Sequence, residues 1–145
     1  MSAVACRPIV TPTDWAYAQA IRFAVFVDEQ RVPFEEELDE HDASAHHLLA
    51  LLGDRPVGTG RLVIEGEAGR IGRMAVLPAA RGQGVGGAIL QGLVEEAQRR
   101  GLRTIYLAAQ LHARSFYARH GFVAGGPHFL DAGIWHQRMD LRREE

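Results

Sequence analysis

The chain contains no lysine, and all 16 of its basic residues are arginines. A P-loop holds nucleotide phosphates with a Gly-Lys-Ser or Gly-Lys-Thr sequence, so the absence of lysine excludes this class of nucleotide site. The 18 acidic residues bring the net charge to −2. A chain with so little net charge gives no reason to expect a nucleic-acid partner.

Cysteine and long apolar segments are scarce as well. Cys6 is the single cysteine, which excludes a disulfide within the chain and gives thiol catalysis little support. No apolar run approaches the roughly 20 residues that a membrane helix needs. Residues 1–10 lack the basic and apolar regions of a signal peptide. These absences predict a cytoplasmic protein that does not bind membranes.

What is present suits one globular domain, to which we assign residues 1–145. Of these residues 47% are hydrophobic and 23% are charged, which is ordinary for a chain with a single core. Helical spacing follows a capping Thr11 or Thr13 up to about Val27, and turn-forming residues separate β-rich segments further on. This order predicts an α/β (α+β) fold with a mixed, mostly antiparallel central sheet flanked by helices.

The most informative segment is rich in glycine and runs from Arg81 to Gly87. It follows an apolar strand at residues 74–77 and precedes a helical pattern that starts at Val85 and ends before Gly101. Glycines let backbone N–H groups approach a ligand closely, and the first N–H groups of a helix have no partner within that helix. The segment therefore predicts a cradle for an anion.

A dinucleotide site is one ligand class that such a cradle could serve. Gly82, Gly84 and Gly87 match the G-x-G-x-x-G fingerprint of these sites. That fingerprint also needs an acidic residue about 20 positions further on. Residues 106–110 offer none, so a dinucleotide site is not expected.

The same segment fits a different family better. Arg81-x-x-Gly84-x-Gly86 directly follows a strand that ends Val-x-Pro. This combination resembles the pyrophosphate loop of the GNAT superfamily of acyl-CoA-dependent N-acetyltransferases. A tight strand-to-helix turn without a ligand is the alternative interpretation.

A second motif resembles the other half of the acetyl-CoA site in that superfamily. Residues 104–109 favour a strand, and a short helix that contains Phe116 and Tyr117 ends at Gly121. In the family, a tyrosine at the place of Tyr117 commonly lies near the CoA sulfur and protonates the leaving thiolate. A phenol with a pKa near 10 can supply that proton. Packing is the alternative for both aromatic side chains, and for Phe116 we favour it.

Other segments resemble the ElaA/YjcF-like branch of the superfamily, whose acceptors are mostly undefined. They are residues 22–30, which read Arg-Phe-Ala-Val-Phe-Val-Asp-Glu-Gln, the pair Ala109 and Gln110, and a closing motif at residues 129–136. Many superfamily members carry an asparagine six positions before the tyrosine, against the pantetheine arm. Leu111 stands there in this chain. That contact is therefore either absent or made by Gln110.

The resemblance implies an enzyme that transfers the acetyl group of acetyl-CoA, its co-substrate, to a primary amine of a small molecule or a peptide. The amine attacks directly in a ternary complex, and no metal takes part. A CoA-binding module without catalysis, acting as a sensor or interaction domain, is the alternative, and a homodimer is compatible with both. The cofactor contacts that the resemblance implies are Met74, Ala75, Val76, Arg81, Gly82, Gln83, Gly84, Val85, Gly86, Gly87, Gln110 and Phe116.

The acceptor must attack as a neutral amine, because an alkylammonium with a pKa near 10.4 is mostly protonated at neutral pH. Acidic residues cluster in the segment that usually forms one wall of the acceptor cleft in the resembled family, namely Glu35, Glu36, Glu37, Asp39, Glu40 and Asp42. We expect most of them to be solvated charges that do nothing specific. Glu29 is the stronger candidate for the acceptor site, and Tyr117 and Glu29 are the two predicted catalytic side chains.

Histidine is abundant but indicates no metal site. The histidines and acids between Asp39 and His47 lack a spaced pattern such as His-Glu-x-x-His. The adjacent His46 and His47 should face opposite sides of one strand. His136 is either a candidate base or acceptor contact, or an exposed histidine on an edge strand.

Overall fold

Residues 3–142, the part of the chain that the computed structural model describes, form one seven-stranded sheet with helices on both faces. The strands are β1 (Val4–Pro8), β2 (His46–Leu52), β3 (Arg55–Glu65), β4 (Ala68–Val76), β5 (Thr104–Gln110), β6 (Phe122–Asp131) and β7 (Ile134–Leu141). Their spatial order is β1-β2-β3-β4-β5-β7-β6. Neighbouring strands are antiparallel except β4 and β5, which are parallel. The predicted mixed, mostly antiparallel sheet is therefore confirmed.

The helices are α1 (Pro12–Arg22), α2 (Phe34–Glu37), α3 (Val85–Arg99) and α4 (Arg114–Ala118). A π-helical segment, Phe23–Glu29, continues α1, and short 3₁₀ turns lie at Pro78–Ala80 and Leu111–Ala113. Within residues 3–142, no helix is long and apolar enough to cross a membrane.

Helix α1 begins where the sequence predicts, with Thr11 rather than Thr13 as the cap. The Thr11 hydroxyl oxygen accepts a hydrogen bond from the Asp14 N–H at 3.1 Å, and Pro12 occupies the first turn. The Asp14 carboxylate receives two hydrogen bonds of 2.9 Å from the Arg7 guanidinium. This pair joins the start of α1 to β1.

The apolar spacing predicts a regular α-helix up to about Val27, but the structure differs. The α-helix ends at Arg22, and the Gln30 N–H bonds the Val25 carbonyl at 3.0 Å, five positions back, so the turn is wider than an α-turn. Arg31 ends the segment with a φ of 63°. The wider turn keeps Val25 in the core, so apolar spacing alone does not distinguish the two helix types.

The core has two layers, one on each face of the sheet. The first lies under α1 and consists of Ala18, Ile21, Val25, Leu49, Leu51 and Ala75. The second lies under α3 and includes Leu48, Leu52, Ile89 and Leu93. Glycine lets α3 pack close to β3, because a Cβ on Gly60 would lie 2.7 Å from the Ile89 Cγ2 atom. Strand β2 is buried on both faces, because one core layer covers each face of the sheet.

Strands β4 and β5 pair for only part of their length, and this divergence positions the site. Their register runs from Ala68 opposite Thr104 to Ile71 opposite Leu107 and ends there. Just beyond, Arg73 has a φ of 49°, and the register of β4 with β3 shifts at the same place. A bulge of this kind bends a strand and re-aims its backbone. The remainder of β4 therefore presents a backbone edge that β5 does not cover.

Candidate functional site

A cleft of about 1040 Å³ opens where β4 and β5 diverge. Its lining comes from the end of β4, the glycine segment, the start of α3, helix α4, the π-helical segment and the turn between β6 and β7. These elements are far apart in the sequence. The sheet brings them together, because β4 leads into the glycine segment and β5 leads into α4.

The glycine segment has the backbone of an anion cradle. Gly82 and Gly84 have φ values of 78° and 83°, which L side chains rarely adopt. Gly84 is the N-cap of α3, and the first N–H to bond back to it is that of Ala88, at 3.1 Å. The N–H groups of the preceding residues therefore have no acceptor within the helix. This part of the cleft can bind a phosphate through backbone N–H groups and the helix dipole.

Phe116 packs directly on the first turn of α3. A Cβ on Gly86 would lie 3.4 Å from the Phe116 ring, and one on Gly87 would lie 3.4 Å from the His120 ring. The Phe116 ring is also 5.0 Å from that of Tyr117 and 5.1 Å from that of His120, measured between centroids. The packing role that the sequence favours for Phe116 agrees with these contacts.

Arg81 links the glycine segment to the N-terminal part of the chain. Its Nε donates to the Val76 carbonyl at 3.0 Å, and its two terminal nitrogens lie 2.8 and 2.6 Å from the carboxylate oxygens of Glu29. The hydrogen bonds from Arg81 lower the pKa of Glu29, because they stabilise the carboxylate. In this arrangement Glu29 is a paired anion on the wall of the cleft.

Tyr117 reaches β4 from the opposite wall. Its hydroxyl lies 3.9 Å from the Met74 sulfur, and its ring is 6.2 Å from that of Phe122. Burial raises the pKa of Tyr117 to about 12, since the low-polarity surroundings disfavour the phenolate. The phenol therefore keeps its proton at neutral pH and can donate it.

Part of the acidic segment is not solvated, contrary to the sequence prediction. Arg22, which is almost fully buried, donates to the Glu37 carboxylate at 2.5 Å and to the Asp42 carboxylate at 2.7 Å. Arg61, buried on β3, donates to Asp39 at 2.7 Å and to Asp42 at 2.9 Å. Buried arginines hold these carboxylates in place because an unpaired charge would be costly there.

Arg73 adds further contacts that attach the acidic segment to the sheet. Arg73, in the β4 bulge, donates to the Glu37 carbonyl at 3.1 Å and to the Asp39 carboxylate at 3.2 Å. The hydrogen bonds from Arg61 hold the pKa of Asp39 well below its usual range. Only Glu35, Glu36 and Glu40 of the acidic cluster are exposed as predicted. The wall thus carries less free negative charge than the sequence suggests.

The histidines make no metal centre among residues 3–142, where no group of three or more His, Cys, Asp and Glu side chains could hold an ion. His47 packs on Trp15, with ring centroids 4.8 Å apart, and its Nε2 lies 2.9 Å from the Asp42 carbonyl. His136 is buried rather than exposed, and it is not on an edge strand, because β7 lies between β5 and β6. The order of these strands is not visible in the local sequence.

The model of the acetyltransferase (GNAT) domain family matches residues 13–143 of this chain. The chain belongs to the GNAT acetyltransferase family. It is 42% identical over 120 residues to the uncharacterized N-acetyltransferase YjcF of Bacillus subtilis, a match that covers 82% of this chain and 86% of YjcF. The predicted family is therefore confirmed.

Solved structures of GNAT proteins agree in fold. An acyl-CoA N-acyltransferase from Pseudomonas aeruginosa is 30% identical with a TM-score of 0.83, and the match covers 98% of this chain and 100% of that one. Escherichia coli ElaA is 25% identical with the same TM-score of 0.83, at 98% and 100% coverage. With YjcF, these similarities place the chain in the ElaA/YjcF-like branch of the GNAT superfamily.

The cleft brings together nearly all of the residues predicted for the site. Those that line it are Glu29, Met74, Ala75, Val76, Arg81, Gly82, Gly84, Val85, Gly86, Gly87, Gln110, Phe116 and Tyr117. Gln83 does not line it, since its side chain turns back to the Ala79 carbonyl at 3.3 Å. The sequence does not indicate Gln30 as a site residue. Its amide oxygen accepts a hydrogen bond of 2.9 Å from the amide of Gln110, which lies 80 positions later in the chain.

Proposed function

We propose that the protein is an acetyl-CoA-dependent N-acetyltransferase that acts on a primary amine of a small molecule or a peptide. The observation that carries this proposal is the uncovered backbone edge of β4, which leads directly into the glycine segment within one cleft of a GNAT protein. We assign this activity to residues 1–145 as one acyltransferase domain, with direct attack in a ternary complex.

The residues present fit acetyl-CoA, a co-substrate that supplies an activated acetyl group as a thioester. Gly82, Gly84 and the first turn of α3 would hold the pyrophosphate, because their backbone leaves N–H groups free and room for close approach. The β4 backbone at residues 74–76 would bond the amides of the pantetheine arm as an added strand does. A backbone N–H of β4 would stabilise the negative charge that develops on the carbonyl oxygen.

Tyr117 is the proposed proton donor to the sulfur. Its hydroxyl points at β4, where it is 3.9 Å from the Met74 sulfur, and burial keeps the phenol protonated at neutral pH. A thiolate released into a cleft needs a proton or a hydrogen bond, and a positioned phenol supplies either. Within the part of the chain that the structure describes, Tyr117 is the tyrosine that lines the cleft.

Glu29 is the proposed acceptor-side residue. It lines the cleft near Arg81, and the exposed acids Glu35, Glu36 and Glu40 line the same cleft. Such a wall attracts a cationic amine. The pKa of Glu29 is lowered by Arg81, so its role is to attract and orient the amine rather than to remove a proton from it.

The test is acetyl-CoA turnover, measured by thiol release, across a panel of primary amines, polyamines, amino sugars, amino acids and peptides. The expected result is turnover with at least one cationic amine, together with a rise in melting temperature on addition of acetyl-CoA. A rise in melting temperature without thiol release from any acceptor would favour the alternative, a CoA-binding sensor or interaction module. If acetyl-CoA causes neither thiol release nor a rise in melting temperature, acetyl-CoA is not the co-substrate.

A further inference from the structure

One buried histidine of the cleft has no part in the function proposed above. His136 lies on β7, is 9% exposed and lines the same cleft as Tyr117 and Gly84. Its ring Nδ1 lies 2.7 Å from the Ile134 carbonyl oxygen. A carbonyl oxygen only accepts, so Nδ1 carries the ring proton, and Nε2 of the neutral ring keeps a free lone pair.

Neighbouring side chains hold the ring in one orientation. Phe129 of β6 stacks on it, with centroids 5.9 Å apart and planes inclined by 21°. Gln110 of β5 is its partner in the strand register, and the Gln110 amide is itself bonded to Gln30 of the N-terminal segment at 2.9 Å. A base on a central strand with a packed ring is preorganised, which a base on a mobile loop is not.

His136 and Tyr117 lie on opposite faces of the sheet. Met139 and Leu141 of β7 pack in the core under α3, together with Tyr117. Successive side chains of a strand alternate between faces, so His136 faces the other side, the side of the acidic segment. The gap between β4 and β5 joins the two faces. An acid on one face and a base on the other suit a reaction whose two substrates enter from opposite sides.

Two carboxylates on this side of the cleft are already held by arginines. From the acidic segment, Asp39 is bound by Arg61 and Arg73, and from the π-helical segment Glu29 is bound by Arg81. Carboxylates paired in this way have lowered pKa values and are weak bases. The other titratable or charged groups that line the cleft are Glu35, Glu36, Glu37 and Glu40 around α2, Arg70 of β4, His112 and Arg119 near α4, and Asp131 of β6.

We propose that His136 is the base that deprotonates the acceptor amine, an inference that rests on the acetyltransferase function proposed above. Nε2 takes a proton from the ammonium group, and the freed lone pair forms the C–N bond as the C–S bond breaks. Tyr117 gives its proton to the sulfur and regains one from the new amide nitrogen. His136 then returns its proton to water.

The test compares pH profiles of kcat/KM for the best amine of the panel, from pH 6 to pH 10. His136→Asn keeps a donor for the Ile134 carbonyl but has no equivalent of Nε2, and His136→Gln is a second variant. The control is His128→Asn, an exposed histidine on β6 that does not line the cleft. Melting temperatures and acetyl-CoA binding of the variants are measured alongside, so that a folding defect is recognised.

At pH 7 we expect a loss of about 10²-fold or more in both His136 variants and none in His128→Asn. The loss should shrink about tenfold per pH unit as the pH rises towards the amine pKa near 10.4, because water then supplies the neutral amine. A loss of equal size at every pH, or no loss, would overturn the assignment of His136 alone. If the unmodified protein has no turnover with any amine, the proposed function and this inference fail together.

Discussion

Arg81 and Glu29 join two distant parts of the chain across the cleft, with nitrogen to oxygen distances of 2.8 and 2.6 Å at 52 positions of separation. Both side chains are more than 40% exposed, at 44% and 41%. An ion pair with this exposure adds about 0–1 kcal/mol to stability. Its consequence is positional, because it holds the Glu29 carboxylate next to the glycine segment, which places the proposed acceptor-side residue beside the proposed site of the acyl donor.

Glu29→Gln should therefore affect the amine more than acetyl-CoA. We expect kcat/KM for a cationic acceptor to fall about tenfold, equivalent to 1.4 kcal/mol. The Kd for acetyl-CoA should change less than threefold, because the phosphate contacts come mainly from backbone N–H groups. Initial rates at varied amine concentration and a binding titration measure the two effects.

The matched control is Glu95→Gln, the same change at an exposed position of α3 outside the cleft, which should leave both values unaltered. Neutral or anionic acceptors should be poor substrates for the unmodified protein. An anionic best substrate, such as a sugar phosphate, would contradict the acceptor assignment and leave the fold and the cofactor proposal intact.

The glycine segment predicts a ligand-dependent gain in stability. At about 100 times its Kd, acetyl-CoA should stabilise the parent protein by about 2.7 kcal/mol. Gly84→Val should abolish this gain, because a branched side chain is strained at a φ of 83° and moves the backbone N–H groups of the cradle. Melting curves with and without acetyl-CoA measure the gain.

Gly53→Val supplies the control for backbone strain. Gly53 has a φ of 59° in the turn between β2 and β3, with open space around it and no part in the cleft. Its valine variant should lose stability in a similar way yet keep the full response to acetyl-CoA. Loss of the response in both variants would mean that strain, and not the cradle, explains the Gly84 result.

The elements of the cleft whose backbone structure the sequence predicts are local. The glycine segment and the motif around Tyr117 each lie within one stretch of chain, where composition and spacing determine the turn and the helix. The order of such segments along the chain predicts the fold class. Strand β1 (Val4–Pro8) is too short to carry a clear pattern of its own.

The rest depends on long-range pairing. Arg61 and Asp39 are 22 positions apart in the sequence, but the structure joins them in an ion pair in which the Arg61 side chain is buried. The sequence leaves His136 open as a candidate base or as an exposed edge-strand residue, because nothing near it reveals that β7 lies between β5 and β6. Contacts of this kind arise from the strand order, which local periodicity does not contain.

The buried ion pairs of the acidic segment predict a large cost for removing Arg61. Arg61→Leu leaves Arg73 as the only arginine bonded to Asp39 and Arg22 as the only one bonded to Asp42, so we expect a loss of about 1.5–3 kcal/mol in the free energy of unfolding, the range for hydrogen bonds to a charged group. Arg7→Leu is the control, since the Arg7 side chain is 53% exposed and removal of its pair with Asp14 should cost much less stability. Denaturant titration measures both losses.

The same network sets the response to acid. Hydrogen bonds from Arg61 lower the pKa of Asp39. Burial raises the pKa of Asp42, but hydrogen bonds from Arg22 and from the Asp39 N–H outweigh it, so both pKa values lie below the ordinary 3.8 and the folded protein releases these protons more readily than the unfolded chain. Their contribution to stability is therefore complete above about pH 4 and is lost as the pH falls through the folded pKa values. Arg61→Leu should reduce this dependence, and an unchanged acid profile in that variant would contradict the assignment.

Tyr117 is the side chain to which we assign the transfer of a proton to sulfur. Tyr117→Phe keeps the ring packing and should keep the affinity for acetyl-CoA, while kcat should fall by about 10²-fold, the lower end for general acid catalysis. The control is Tyr17→Phe, because Tyr17 is exposed on α1 and does not line the cleft. Its kcat should equal that of the parent. Steady-state rates at saturating acetyl-CoA measure both variants.

The pKa of Tyr117 also constrains the pH profile of the parent enzyme. Because burial raises it to about 12, the phenol stays protonated up to pH 10, and its ionisation should produce no basic limb between pH 6 and pH 10. Any limb in that range must come from another group and should persist in Tyr117→Phe. If Tyr117→Phe instead retains the kcat of the parent with several amines, the proton comes from water and Tyr117 is a packing residue. Removal of its hydroxyl would then cost only the stability of one weak contact to the Met74 sulfur.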